Sequence, residues 1–125
     1  MTKHVLLIED EPNIIEAIRF LLMRDGWSVA THMDGEGATQ TVREQRPDLV
    51  ILDVMLPNRS GFDILAELRR DPATATVPVL MLTARGQLRD RELAERSGVS
   101  RFMTKPFANS EILAVVRELA GPDAA

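Results

Sequence analysis

Five short apolar runs alternate with amphipathic stretches along this chain, and no other feature of the sequence constrains its fold as strongly. The runs cover residues 5–8, 27–31, 49–52, 77–82 and 100–103. The first, third and fourth runs are almost continuously apolar, as expected for strands buried on both faces of a parallel sheet. The second and fifth runs contain more polar residues, so we expect them at the edges of the sheet.

Apolar residues recur at helical spacing between these runs. The first predicted helix has Pro12 in its first turn and ends at Gly26. The others cover about residues 35–45, about residues 61–70, residues 88–94 with a stop at Gly98, and residues 112–119 with Asn109 or Ser110 as the N-cap. Repeated strand–helix alternation predicts an α/β fold: a doubly wound, five-stranded parallel sheet in the order 2-1-3-4-5 with helices on both faces.

Composition narrows the class of protein. The chain has 125 residues, which suggests one domain over residues 1–120, followed by a tail or the start of a linker at residues 121–125. The net charge of -4 argues against direct nucleic-acid binding by this domain, because phosphate binding needs a basic surface. The sequence contains no cysteine and no apolar run long enough for a membrane span, so we expect a cytoplasmic protein without disulfides.

Polar side chains follow four of the five predicted strands. They are Glu9, Asp10 and Glu11 after the first run, Asp53 after the third, Thr83 with the small residue Ala84 behind it after the fourth, and Thr104 and Lys105 after the fifth. The carboxyl ends of parallel strands meet at one edge of a sheet, where open α/β folds place their sites. The predicted strand order therefore brings carboxylates, a hydroxyl and an ammonium group into one cleft.

The chemistry of such a cluster points to phosphoryl transfer. Carboxylates held close together repel one another and favour a hard divalent cation, so oxygen-only ligands indicate Mg²⁺ rather than zinc. Lys105 and Thr83 are suited to contact phosphoryl oxygens, and Asp53 is placed to act as the nucleophile that becomes an aspartyl phosphate. Glu11 is expected only to cap the first helix and complement its dipole.

These residues in this order resemble the receiver domain of two-component response regulators, of the kind that also includes the chemotaxis response regulators. The resemblance runs from about Lys3 to Leu119. It is carried by the acidic pair Glu9-Asp10, by Asp53 with Pro57 and Gly61 behind it, by Thr83-Ala84, and by Lys105-Pro106-Phe107. It implies a flavodoxin-like fold and a cis peptide bond between Lys105 and Pro106.

The resemblance also implies specific roles for individual residues. The metal ligands would be Asp10, Asp53 and the backbone carbonyl of Met55, with Glu9 acting through water. Phosphorylation of Asp53 would draw Thr83 toward the phosphoryl group and allow the ring of Phe102 to turn inward as the aromatic switch. The side chains of Met55 and Arg85 would shield the acyl phosphate from water.

The fourth helix, fifth strand and fifth helix would form the signalling face. Thr83-Ala84-Arg85-Gly86, Asp90-Arg91 and Glu111 resemble the winged-helix transcription-factor branch of the family. That branch commonly has an acidic pair where this chain has Ser100-Arg101, and a basic residue where it has Val115. We therefore expect any homodimer to lack the salt-bridge network of that branch, and Val115 to offer an apolar contact for another partner.

The sequence thus predicts a phosphorylation-controlled switch. A sensor histidine kinase or a histidine phosphotransfer protein would phosphorylate Asp53, and the altered face would engage an output domain or a partner protein. The alternatives are a receiver-like interaction module that works without phosphate and the receiver part of a DNA-binding transcription regulator. A dehalogenase-type phosphatase would need a second aspartate at position 55, which is Met55, and the chain contains no P-loop or Gly-x-Gly-x-x-Gly turn.

Overall fold

The predicted runs form the five parallel strands of a single sheet in a computed structural model, which describes residues 3–84 and 88–121. The strands are β1 His4–Ile8, β2 Ser28–His32, β3 Leu49–Asp53, β4 Val79–Thr83 and β5 Arg101–Thr104. The helices are α1 Pro12–Arg24, α2 Ala38–Gln45, α3 Gly61–Arg70, α4 Leu88–Arg96 and α5 Asn109–Ala120. Across these described ranges, no helix combines the length and the apolar character that a membrane crossing needs.

The strand order β2-β1-β3-β4-β5 confirms the sequence prediction. Every residue of β3 and β4 is buried, as their apolar runs predicted. The outer strands β2 and β5 are partly exposed, as their mixed composition predicted. Each strand-to-strand connection passes through a helix, so all strand carboxyl ends lie along the same edge of the sheet.

Two hydrophobic cores, one on each face of the sheet, explain why the central strands are apolar throughout. Alternate residues of a strand point to opposite faces: Leu6 and Ile8 belong to the core beneath α2, α3 and α4. Val5 and Leu7 belong to the core beneath α1 and α5. Each central strand therefore contributes apolar side chains to both cores, which leaves only its end free to carry a polar side chain.

Two predicted helix starts are wrong. Helix α2 begins at Ala38 rather than Gly35, because Gly37 has a left-handed backbone with φ of 77° that a helix cannot include. Helix α5 has Ala108 at its N-cap, so neither Asn109 nor Ser110 takes that position. An alanine side chain cannot accept a hydrogen bond, and the cap relies on the carboxylate of Glu111, which accepts from the Ala108 N–H at 3.3 Å.

The Arg69 guanidinium joins three segments at the amino-terminal edge of the sheet. It donates from Nε to the carbonyl of Gly98 at 2.8 Å, and from one terminal nitrogen to the carbonyls of Ala75 at 3.1 Å and Val77 at 2.7 Å. Burial lowers the pKa of Arg69. This one side chain therefore fastens the end of α3 to the segment before β4 and to the turn before β5.

Replacing Arg69 with Ala is expected to destabilise the protein by about 1–3 kcal/mol, because three carbonyl acceptors lose a charged donor. The neighbouring substitution Arg70→Ala removes an exposed arginine from the same helix and should change the free energy of unfolding by less than about 0.5 kcal/mol. Urea denaturation of both variants measures the difference. Equal losses in the two would show that the carbonyl contacts contribute nothing specific.

Candidate functional site at the carboxyl edge of the sheet

The polar residues that follow the strands converge, as the strand order predicted. Asp53 is the last residue of β3 and Thr83 is the last residue of β4. Glu9 and Asp10 follow β1 directly, and Lys105 follows β5 directly. These elements come from four separate parts of the chain, and only the parallel sheet brings their ends together.

The Lys105 ammonium lies close to three carboxylates in the cleft. Its Nζ lies 3.0 Å from Oε1 of Glu9, 3.3 Å from Oε1 of Glu11 and 3.6 Å from Oδ2 of Asp53. Burial alone would lower the pKa of Lys105, but the three carboxylates together outweigh it and raise the pKa. The lysine therefore stays charged and offsets part of the acidic cluster.

The Asp53 carboxyl group is almost fully buried, at 3% exposure. Burial raises its pKa, the nearby Glu9 carboxylate raises it further, and the positive charge of Lys105 opposes both, which leaves the pKa at about 7. Oδ1 of Asp53 also accepts the N–H of Met55 at 3.3 Å. Asp53 is thus a destabilised carboxylate, and added positive charge in the cleft would stabilise its ionised form.

Glu9, Asp10 and Asp53 form an acidic group suited to a hard cation. One carboxylate oxygen from each of these residues lies within 4.8 Å of the others. Glu9 already uses Oε2 to accept the N–H groups of Asp10 and Glu11, both at 3.2 Å, while its Oε1 faces Lys105. Glu9 is therefore better placed to orient a metal-bound water than to bind the metal directly. The oxygen-only donors and their mutual repulsion fit Mg²⁺.

Thr83 and Lys105 are linked through the backbone. Thr83 is buried at 2% exposure, and its carbonyl accepts the Lys105 N–H at 2.7 Å. The Lys105–Pro106 peptide bond is cis, as the resemblance implied. The hydrogen bond from the Lys105 N–H to Thr83 fixes the lysine backbone at the end of β4.

The loop that follows Asp53 is fastened to the loop that follows β2. The N–H of Gly35 donates to the Pro57 carbonyl at 3.0 Å. Nδ2 of Asn58 donates to both carboxylate oxygens of Asp34 at 2.8 Å, and this bond lowers the pKa of Asp34. Turn-forming residues in the two loops are the only hint of this link in the sequence. It restricts the segment that carries Met55, the predicted carbonyl ligand.

The predicted switch residue Phe102 is half-buried on β5. The Arg91 guanidinium carbon lies 5.3 Å from the centre of the Phe102 ring, which is a cation–π distance. Met55, one of the two predicted shielding residues, is 60% exposed. Arg85, the other predicted shielding residue, lies outside the described residues.

Two further sequence expectations concern charged residues, one at the start of β5 and one after β1. Arg101 pairs with Glu118 of α5 within the same chain, with 2.6 Å between the guanidinium nitrogen and Oε1. Glu11 occupies the N-cap position of α1, but its side chain makes no capping hydrogen bond. The prediction that Glu11 serves only as a helix cap is therefore wrong, because its carboxylate reaches Lys105 instead.

The fold and the cleft define a receiver-type signalling domain. The chain matches the family model of the response regulator receiver domain over residues 5–117, and it belongs to that family. A curated relative is the probable transcriptional regulatory protein TcrX of Mycobacterium tuberculosis, which is 41% identical over 115 residues, covering 92% of this chain and 48% of TcrX. The chain spans about half the length of the curated relatives it matches.

Solved structures agree with this membership. A putative response regulator from Chloroflexus aurantiacus superposes with a TM-score of 0.91 at 29% identity, covering 96% of this chain and 98% of that chain. The receiver domain of the Pseudomonas aeruginosa sensor histidine kinase PA1611 superposes with a TM-score of 0.88 at 28% identity, covering 96% and 98%. That structure has a magnesium ion coordinated in its active site cleft.

Proposed function

We propose that Asp53 receives a phosphoryl group from a sensor histidine kinase or a histidine phosphotransfer protein. The observation that carries this proposal is a buried carboxylate whose pKa is raised to about 7, beside a paired lysine and two further acidic residues. An Asp53 oxygen attacks the phosphorus of a phosphohistidine. The new O–P bond forms as the P–N bond breaks, and the leaving imidazole keeps the bonding electron pair and takes up a proton.

Each residue of the cleft would have a separate role in this transfer. Asp10, Asp53 and the Met55 carbonyl would hold Mg²⁺, with Glu9 acting through water. When bound, the metal neutralises charge on the transferring group. Lys105 contacts a second phosphoryl oxygen with its ammonium, and Thr83 donates its hydroxyl to a third. The same groups would assist hydrolysis of the aspartyl phosphate, in which water attacks the phosphorus, the bond from phosphorus to the Asp53 oxygen breaks, and the carboxylate leaves with the electron pair as inorganic phosphate is released.

The readout would run through Thr83 and Phe102. Movement of Thr83 toward the phosphoryl group opens space behind it, and the Phe102 ring turns into that space. A phenylalanine has no hydroxyl to anchor either position, so the Arg91 guanidinium over the ring would favour the ring position that the structure shows. The switch changes the surface formed by α4, β5 and α5.

That surface would engage an output domain or a partner protein. Arg101 is already paired with Glu118 of its own chain, so it is not poised to form the intersubunit ion pairs of the transcription-factor branch. Apolar contacts are available instead from Leu93, which is 38% exposed on α4, and from the half-buried Val115 on α5. Any homodimer formed through this face would rest on such apolar contacts.

The receiver part of a DNA-binding transcription regulator is the second reading, and it is compatible with the first. It is favoured by the similarity to TcrX and by the half-length coverage of that protein. In this reading residues 1–120 form the receiver unit, residues 121–125 begin the connection to an output domain, and DNA binding belongs to that other domain. We propose that this exchange takes place in the cytoplasm, which is consistent with membership of the receiver family.

Acetyl phosphate with Mg²⁺ tests the central proposal. We expect intact-mass measurement to show one added phosphoryl group on the wild-type protein and none on Asp53→Asn. The exposed α3 carboxylate Asp63 provides a control, and Asp63→Asn should be modified as the wild type is. An adduct that survives in Asp53→Asn, or no adduct on the wild type, would contradict the proposal, and the second outcome would favour the phosphate-independent interaction module.

A further inference from the structure

The carboxylate of Glu11 is a contact of Lys105 that the proposed phosphoryl transfer does not use. Its Oε1 lies 3.3 Å from the lysine Nζ, although the two residues are 94 positions apart in the sequence. The side chain of Glu11 is 60% exposed, whereas that of Glu9 on the same ammonium is fully buried. Glu11 therefore holds the lysine from the solvent side, where a phosphoryl donor must enter.

Both ends of this contact are fixed by the backbone. The N–H of Glu11 donates to Oε2 of Glu9 at 3.2 Å, and the Glu11 carbonyl accepts the N–H of Ile15 as α1 begins. The N–H of Lys105 donates to the Thr83 carbonyl at 2.7 Å. The exposed carboxylate is thus presented to the ammonium from an anchored position.

We propose that Glu11 is a positioning residue that restrains Lys105 at the mouth of the cleft and competes with the incoming phosphoryl oxygen for the ammonium. This inference rests on the proposed function of Asp53. In the reaction with acetyl phosphate, an Asp53 oxygen bonds to phosphorus as the bond from phosphorus to the acetyl oxygen breaks, and acetate leaves with the electron pair. Lys105 must turn from Glu11 toward a phosphoryl oxygen during that step.

Three variants separate contact from charge. Glu11→Gln removes the charge, and Glu11→Asp keeps the charge but draws it back from Lys105 by one methylene. Glu16→Gln removes an exposed carboxylate from the same helix and serves as the matched control. Calorimetry first sets a saturating Mg²⁺ concentration for each protein, and intact mass then gives the initial rate of phosphorylation against acetyl phosphate concentration.

We expect the second-order rate constant to rise roughly 2- to 5-fold in both Glu11→Gln and Glu11→Asp, in keeping with the strength of an exposed ion pair. Glu16→Gln should match the wild type. A Glu11→Asp variant that behaves as the wild type would assign the effect to long-range charge and overturn the contact. An unchanged or slower Glu11→Gln would also overturn it.

A spectroscopic readout keeps this inference separate from the proposed function. Lys3 and Lys105 are the lysines of the chain, so Lys3→Arg assigns the Lys105 ε-carbon signal in a ¹³C-lysine spectrum. We expect Glu11→Gln and Glu11→Asp, but not Glu16→Gln, to shift that signal before any donor is added. If the wild type is phosphorylated on Asp53 while neither rate nor signal responds at Glu11, this inference alone fails. If the wild type takes up no phosphoryl group, the proposed function fails.

Discussion

Asp53→Asn is expected to stabilise the metal-free protein at pH 8, by on the order of 2–4 kcal/mol. The ordinary effect of a substitution at a buried position is the reverse. Here burial and the Glu9 carboxylate act against the charged form of Asp53 more strongly than Lys105 supports it, and they raise its pKa from 3.8 to about 7. An amide of similar shape removes the buried charge and its repulsion with Glu9.

The pH dependence of that gain has a definite sign. Because the pKa of Asp53 is higher in the folded protein than in the unfolded chain, the folded state retains a proton between pH 4 and pH 7 that the unfolded state releases. The stability of the wild type therefore falls across this window relative to Asp53→Asn. The difference in the free energy of unfolding between Asp53→Asn and the wild type should be close to zero at pH 4, should increase up to about pH 7, and should stay constant above it.

Chemical denaturation at pH 4, 6 and 8 without metal measures this difference, with Asp63→Asn as the exposed control that should show none of it. Adding Mg²⁺ at pH 8 should stabilise the wild type more than Asp53→Asn, because only the wild type keeps the charged oxygen of Asp53. A variant that is less stable than the wild type at pH 8, or a gain that is the same at every pH, would show that Asp53 is not a destabilised carboxylate.

The sequence could predict the placement of Asp53 because burial leaves few choices. A strand covered on both faces must be apolar, as β3 and β4 are, so a polar residue stands out where the run ends. Parallel strands then force those ends to one edge, which is why Asp10, Thr83 and Lys105 were also located. The receiver family supplied the finer roles, such as the carbonyl of Met55.

Contacts between exposed side chains from distant segments could not be predicted in the same way. Glu11 carries the ordinary signal of a helix start, and nothing in the sequence shows that its carboxylate meets Lys105. From the sequence, Arg69 is expected to be a surface arginine near a helix end, although its guanidinium donates hydrogen bonds to three backbone carbonyls. The start of α2 depends on the left-handed backbone of Gly37, and the start of α5 depends on a cap that Glu111 supplies to Ala108. The apolar spacing of these helices shows neither feature, and an alanine at the N-cap position gives no capping signal of its own.

Gly61→Ala is expected to destabilise the protein by about 3 kcal/mol or more. Gly61 begins α3, and its N–H donates to the Val54 carbonyl at 2.8 Å. A β-carbon placed there would lie 2.3 Å from the Asp53 carbonyl oxygen and 3.0 Å from the Val54 Cα. Both atoms belong to the backbone beside the proposed phosphorylation site, so no side chain can rotate to make room.

Relief of that clash requires α3 to move away from the end of β3. We therefore expect the substitution to disturb the geometry of the site as well as to lower the stability of the fold. We expect Gly61→Ala to weaken Mg²⁺ binding at 15 °C, measured by calorimetry under conditions where circular dichroism shows the variant still folded. Gly35→Ala should also lower the free energy of unfolding, because its β-carbon would lie 2.6 Å from the Arg59 carbonyl oxygen, in a loop that the Asn58–Asp34 hydrogen bonds restrict. Asp63→Ala, in the exposed first turn of α3, should lower the free energy of unfolding least of the three variants.

That ranking in urea denaturation distinguishes a local clash from a general intolerance of substitution in this region. If Gly61→Ala is as stable as Asp63→Ala, the close approach of α3 to the Asp53 backbone does not constrain the fold. If it loses stability but binds Mg²⁺ as the wild type does, the helix start and the site are independent. Loss of both would show that the glycine lets α3 begin directly against Asp53, so that one position supports both the packing of the helix and the geometry of the carboxylate.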